Sequence, residues 1–245
     1  MEAIPDSFLA MSTANVVVWS VGTNVVIFAL SVFFGHLLVQ SFRDRPCSLP
    51  AAPLSRQEVL FSALCVLLNS MVMVIGVVLY QGGTIQVLAS APWWRVVFDV
   101  LLLLFVMDAA MYVLHRIAHL PIVYSIVHQT HHKYENPRPL SLFVLNPFEV
   151  LGFGGLWLLV ICVYSSSALG MSIYLFLNVV FGTIGHLGVE PFPANWNKSP
   201  VWWVGTSSFH ARHHNRPGVN FGFYTLFWDY LFGTLDNEPH RDAAE

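Results

Sequence analysis

Residues 128–132 read HQTHH and residues 210–214 read HARHH, one histidine pattern written twice in a chain with only 10% charged residues. Neutral imidazole is the commonest metal ligand among side chains, so this repetition raises metal chemistry first. Six of the eleven histidines belong to the two motifs; His115 and His119 form a pair in HRIAH, and His186 follows in GHLG. Helix residues three or four apart share a face, with Cβ atoms about 5–6 Å apart. The spacing therefore predicts one face for His115 and His119, another for His128, His131 and His132, and a third for His210, His213 and His214. Nine imidazoles exceed what one four- to six-coordinate ion can use, so the count implies two metals. His36 in FFGHLL and His240 in the tail are isolated and are read as a snorkelling and a surface residue.

Imidazole suits zinc, copper, iron and nickel about equally, so ligand type alone does not select the metal. A structural zinc would take a closed set of four ligands, which this pattern does not resemble. A pair of redox-active irons at a membrane surface uses all the ligands, because O2 would then be activated beside a lipid chain.

The elements that must position these histidines are apolar. With 245 residues, 56% of them hydrophobic, the chain falls in the integral-membrane class. A formal net charge of −3 without a basic stripe gives no reason to expect a nucleic-acid partner. Cys47, Cys65 and Cys162 are odd in number and scattered, which is not a disulfide framework. The opening MEAIPDS lacks a positive region and no small-residue cleavage site follows, so the first apolar run is expected to stay in the mature protein.

About twenty apolar residues are needed to cross the hydrocarbon core as a helix. Five segments qualify: Val16–Val39, Val59–Tyr80, Val96–Leu114, Phe148–Tyr164 and Ala168–Leu187, the last two being short enough to form a hairpin that stops part-way. The expected fold is an all-α integral membrane protein. It is one membrane domain over 1–245, with about four to five transmembrane or re-entrant helices under a cytoplasmic, histidine-rich helical cap. Arg43, Arg45 and Arg56 mark the first hinge as cytoplasmic, and alternation then places every Lys and Arg except Arg95 on that side. The same assignment puts the N-terminus outside and brings nine histidines to the cytoplasmic face. Trp202-Trp203 and the stretch Phe221 to Trp228 suit an amphipathic cap at the interface, where such rings often anchor a fold.

Taken in order, HRIAH, HQTHH, His186 and HARHH resemble the histidine boxes of the fatty acid hydroxylase/sterol desaturase superfamily of membrane di-iron oxygenases. The likeness covers roughly 96–235. It includes Asp108, Tyr112, His115 and Arg116 in a D-x-x-x-Y-x-x-H-R run, and the closing NFGFYTLFWDYLFGTL from Asn220. It implies two iron ions, for which zinc would substitute in purified protein, with O2 as co-substrate and a membrane lipid as substrate. It implies hydroxylation of an unactivated C–H bond, or desaturation at the same site. No haem-binding domain, flavin motif or GxGxxG appears, so electrons are expected from a separate ferredoxin, cytochrome b5-type protein or reductase. The pattern departs from the family at Asn146-Pro147, where many members carry His-Pro, and at Glu190, where some carry another histidine. Glu190 is expected to ligate a metal or support a ligand. Asp108, on the same helix face as His115 and His119, is expected to hydrogen-bond a ligand imidazole, the role that fixes tautomer and orientation. A non-enzymatic histidine-lined metal transporter or haem-binding protein is the competing class. Transporters, however, place ligands near the bilayer midplane on broken helices, whereas these lie at helix ends.

Overall fold

The computed structural model describes residues 9–236. Three long helices come first: α1 (Thr13–Ser41), α2 (Arg56–Gln81) and α3 (Trp93–Ala118). Each starts where the sequence can satisfy or dispense with an orphan N–H. The Ser12 hydroxyl accepts from Asn15 N at α1, Ser55 and Glu58 form a reciprocal capping box at α2, and Pro92 precedes α3. Short helices α4 (Pro121–Val127) and α5 (Gln129–His132) follow, then a 3-10 turn at Pro139–Phe143. The hairpin consists of α6 (Pro147–Val163) and α7 (Ala168–Gly185). The chain closes with α8 (Ser207–Asn215) and α9 (Phe227–Leu231).

Among the described residues four helices, α1, α2, α3 and α7, are long and apolar enough to cross a membrane, and α6 is a shorter apolar helix of 17 residues. The hairpin nevertheless reaches the far end of α3. Arg95 and Asp99 of the first α3 turns pair at 2.7 Å, Arg95 donates to Ser165 O at 2.7 Å, and Asp99 accepts from Ser167 N at 2.7 Å and from the Tyr164 hydroxyl. Two short parallel strands, β1 (Val87–Leu88) and β2 (Ser166–Ser167), tie the α2–α3 hinge to the α6–α7 turn. Outward-facing residues on these helices are large and apolar, Leu60, Leu101 and Phe176 among them. Such a surface suits hydrocarbon rather than water.

Leu103, Met107, Met111, Val160, Tyr174 and Tyr224 form the core among α3, α6, α7 and the C-terminal segment. Tyr224 in that list marks a departure from the sequence reading. The aromatic stretch from Phe221 does not stop at an interfacial cap but descends along α3. Tyr224 N and Thr225 N donate to the Asp108 carboxylate at 2.9 and 3.4 Å, Trp228 packs on Phe105 with ring centroids 5.6 Å apart, and Phe232 stacks on Tyr112 at 5.5 Å. At 1.5 Å per residue, Asp108 lies about 10 Å and Phe105 about 15 Å along the α3 axis from His115. Val201–Gly205 accompanies this descent: Val204 bridges Thr225, Leu226 N donates to Trp203 O at 2.7 Å and Gly205 N to Tyr224 O at 2.9 Å.

Candidate metal centre

All the histidines at issue collect at one end of the helices. His115 lies in the last turn of α3 and His119 caps it; His128 joins α4 to α5, which carries His131 and His132; His186 caps α7; His210, His213 and His214 lie on α8. They sort into two groups, His115, His119, His128, His132 and His213 in one, and His131, His186, His210 and His214 in the other. Within each group the candidate donor atoms lie within 4.8 Å of one another. The expectation that each HxxHH presents one face is corrected. In both motifs the i, i+4 pair enters one group and the remaining histidine the other. Adjacent helix positions point about 100° apart, so one helical turn supplies both groups.

Hydrogen bonds identify which nitrogen is free. Nδ1 donates to a backbone carbonyl in His115 (Phe221 O, 2.8 Å), His186 (Gly182 O, 2.8 Å), His213 (Val219 O, 2.7 Å) and His131 (Val144 O, 3.3 Å). His128 Nδ1 lies 2.7 Å from Glu149 Oε1, at ion-pair distance though off the ideal hydrogen-bond line, and both side chains are buried. A neutral ring protonated at Nδ1 presents a bare lone pair at Nε2. Yet Nε2 atoms face one another at 3.0 Å between His115 and His128, 3.0 Å between His132 and His213, and 3.3 Å between His131 and His186. For His131–His186, Nδ1 is already committed to a carbonyl on both rings. Acceptor would face acceptor.

Nor would protonation relieve the clash. Burial, reinforced by neighbouring imidazoles, pushes His119 down to about 2 and His132 to about 3; burial alone takes His186 to about 4. His131, His210, His213 and His214 are driven well below the ordinary imidazole value by burial first and then by neighbouring imidazoles. A cation other than a proton, placed among the lone pairs, removes the conflict, and donors converging within 4.8 Å fit a metal in each group. Nine nitrogen donors, with carbonyls and a carboxylate behind them, suit a borderline transition metal such as iron or zinc.

The two expected supporting carboxylates act elsewhere. Asp108 accepts from Tyr224 N, Thr225 N and the Thr225 hydroxyl and has no imidazole partner among the described residues. Its short side chain cannot span the rise to His115. Glu190 is in neither group; it accepts from Phe192 N at 3.2 Å and from Ser208 N at 2.9 Å, holding the first turn of α8. Glu149, which the sequence reading passed over, is the carboxylate beside an imidazole. Its signal was an acidic residue in the first turn of an apolar helix, a costly position that is usually functional or paired. Asn146 caps α6 by accepting from Phe148 N at 3.0 Å and donates to Ile126 O at 2.9 Å. His36 is exposed, hydrogen-bonds Gln40 at 2.9 Å and stands outside both groups. His240 lies outside the described residues.

A fatty acid hydroxylase family model matches residues 100–234. The chain is 29% identical over 158 residues to C-4 methylsterol oxidase erg25 of Schizosaccharomyces pombe, covering 62% of this chain and 52% of the relative. It is 28% identical over 156 residues to a cholesterol 25-hydroxylase-like protein of Danio rerio, covering 63% and 62%. It is 30% identical over 133 residues to very-long-chain aldehyde decarbonylase GL1-1 of Oryza sativa subsp. indica, covering 51% and 21%. The chain thus spans about half the length of the first of these relatives and a fifth of the last. No solved structure matches.

Proposed function

Because the chain belongs to the fatty acid hydroxylase family, we propose that it is an O2-dependent membrane oxygenase that hydroxylates an unactivated C–H bond of a lipid. The observation carrying this reading is the convergence of histidine donor atoms within 4.8 Å in each of two groups, with the His131 and His186 lone pairs opposed at 3.3 Å, an arrangement that a cation in each group would satisfy. One iron would be held by His115, His119, His128, His132 and His213, and a second by His131, His186, His210 and His214. Iron in such a site supplies activation of O2, and the protein supplies position and environment.

The chain's own contribution is explicit. Carbonyls 144, 182, 219 and 221 fix the tautomer of four ligands and aim Nε2 inward. Glu149 Oε1 stands 2.7 Å behind His128 Nδ1 and restricts how that ring can turn. Phe221 packs against His115, His119 and His213 with centroids 5.1–5.6 Å away and excludes water from that side. Electrons come from a separate one-electron donor, a ferredoxin, a cytochrome b5-type protein or a reductase. The Lys and Arg distribution supports a cytoplasmic histidine end and an outside N-terminus.

The test is purified protein with a reductant, membrane lipid and ¹⁸O2. Hydroxylation puts the label in a new hydroxyl group. A new double bond with label only in water selects the desaturase alternative, which uses the same site. Iron-loaded protein that leaves every lipid in a total extract unaltered would defeat both.

A further inference from the structure

The C-terminal quarter of the chain contains non-helical backbone at the depth of the helices. Thr225 lies beside Asp108 and Trp228 beside Phe105, about 10 and 15 Å along α3 from His115. Exposed backbone polar groups are not tolerated in hydrocarbon unless protein buries and satisfies them. Here two carboxylates do that. Asp108 takes Tyr224 N, Thr225 N and the Thr225 hydroxyl; Asp229 takes Phe221 N at 2.8 Å, Gly222 N at 2.7 Å and the Thr234 hydroxyl at 2.6 Å. With its amides tied inward, the segment turns apolar side chains outward: Tyr230 is 70%, Leu231 56% and Trp202 44% exposed. This rim runs on from the outer face of α3, because Trp228 rests on Phe105, itself 58% exposed.

This segment packs closely on α7. The space left between them, lined by Phe181, Gly182, Thr206 and Phe223 with His186 and His210, is about 10 Å³, room for no more than a single water molecule. Gly222 is obligatory in the segment, since a Cβ would meet Thr225 O at 2.3 Å.

We propose that residues 201–206 and 220–235 form a wedge inserted into one leaflet, with its rim against acyl chains. The partner is the hydrocarbon of the bilayer, because the rim presents Trp202, Tyr230 and Leu231 while the amides behind it are held by Asp108 and Asp229. Insertion stands on the depth of the wedge and does not depend on the oxygenase reading.

The experiment needs no turnover. Full-length protein in phosphatidylcholine nanodiscs is photolysed with stearic acid carrying a mid-chain diazirine, and adducts are mapped by mass spectrometry. Adducts are expected on Trp202, Tyr230 and Leu231 at yields comparable with Leu101 and Phe176 on the helix belt. Rim labelling as scarce as at water-exposed Asn215 overturns insertion.

Discussion

At the scale of single residues, the division of labour among carboxylates is the sharpest result. Glu149 faces His128, whereas Asp108 and Asp229 hold backbone amides of the C-terminal segment. Glu149→Gln should therefore weaken metal binding or activity roughly 10- to 100-fold, the usual cost of losing a partner behind a ligand. Metal titration of the purified variant checks this, and an unchanged affinity would count against the pairing. Asp108→Ala should behave differently: it strands buried amides at about 1–3 kcal/mol each, lowering the melting temperature while the protein that stays folded retains both metals. His119→Ala should reduce metal content in the five-histidine group, and His36→Ala should change neither metal content nor activity.

At the scale of elements, α5 and α8 are each shared between the two groups, so damage to a helix differs from damage to one ligand. Thr206 and Glu190 together satisfy Phe209 N and Ser208 N at the start of α8. Glu190→Ala should cost about 0.5–2 kcal/mol, as loss of a helix cap does, and deplete both metals in parallel. His214→Ala should deplete chiefly the four-histidine group, to which that residue belongs. Cobalt-substituted protein reads the difference spectroscopically. Selective loss from one group in Glu190→Ala would mean that α8 is not held as described.

For the whole molecule, the asymmetry of charge makes a topological prediction. Thr84, in the hinge after α2, and Arg56, at the start of α2, lie at opposite ends of that helix and are both exposed. In intact cells a membrane-impermeant maleimide should label Thr84→Cys and spare Arg56→Cys until the membrane is opened; the reverse pattern would invert the orientation. Cys162, which is half-buried, is replaced by Ser for this measurement, and background from the other two thiols is low on physical grounds. Cys65 is buried, and burial raises the Cys47 thiol to about 11, so at pH 7.5 little of it is thiolate and its alkylation should accelerate only as pH rises toward that value.

The sequence by itself determined which residues meet and roughly where. Long apolar runs dictate helices of membrane length, and histidines three and four apart must share a helical turn, so the end of the bundle that gathers them was legible before any coordinates. Two things depended on the fold. How each HxxHH divides between the groups is decided by the angle at which α5 and α8 approach each other, which no local spacing encodes. Likewise, Glu149 rather than Asp108 reaches an imidazole because α6 begins beside the α4–α5 junction, while Asp108 is claimed by a chain segment more than a hundred residues away. Local period fixes a direction around one helix; only the packing of helices decides what stands in that direction.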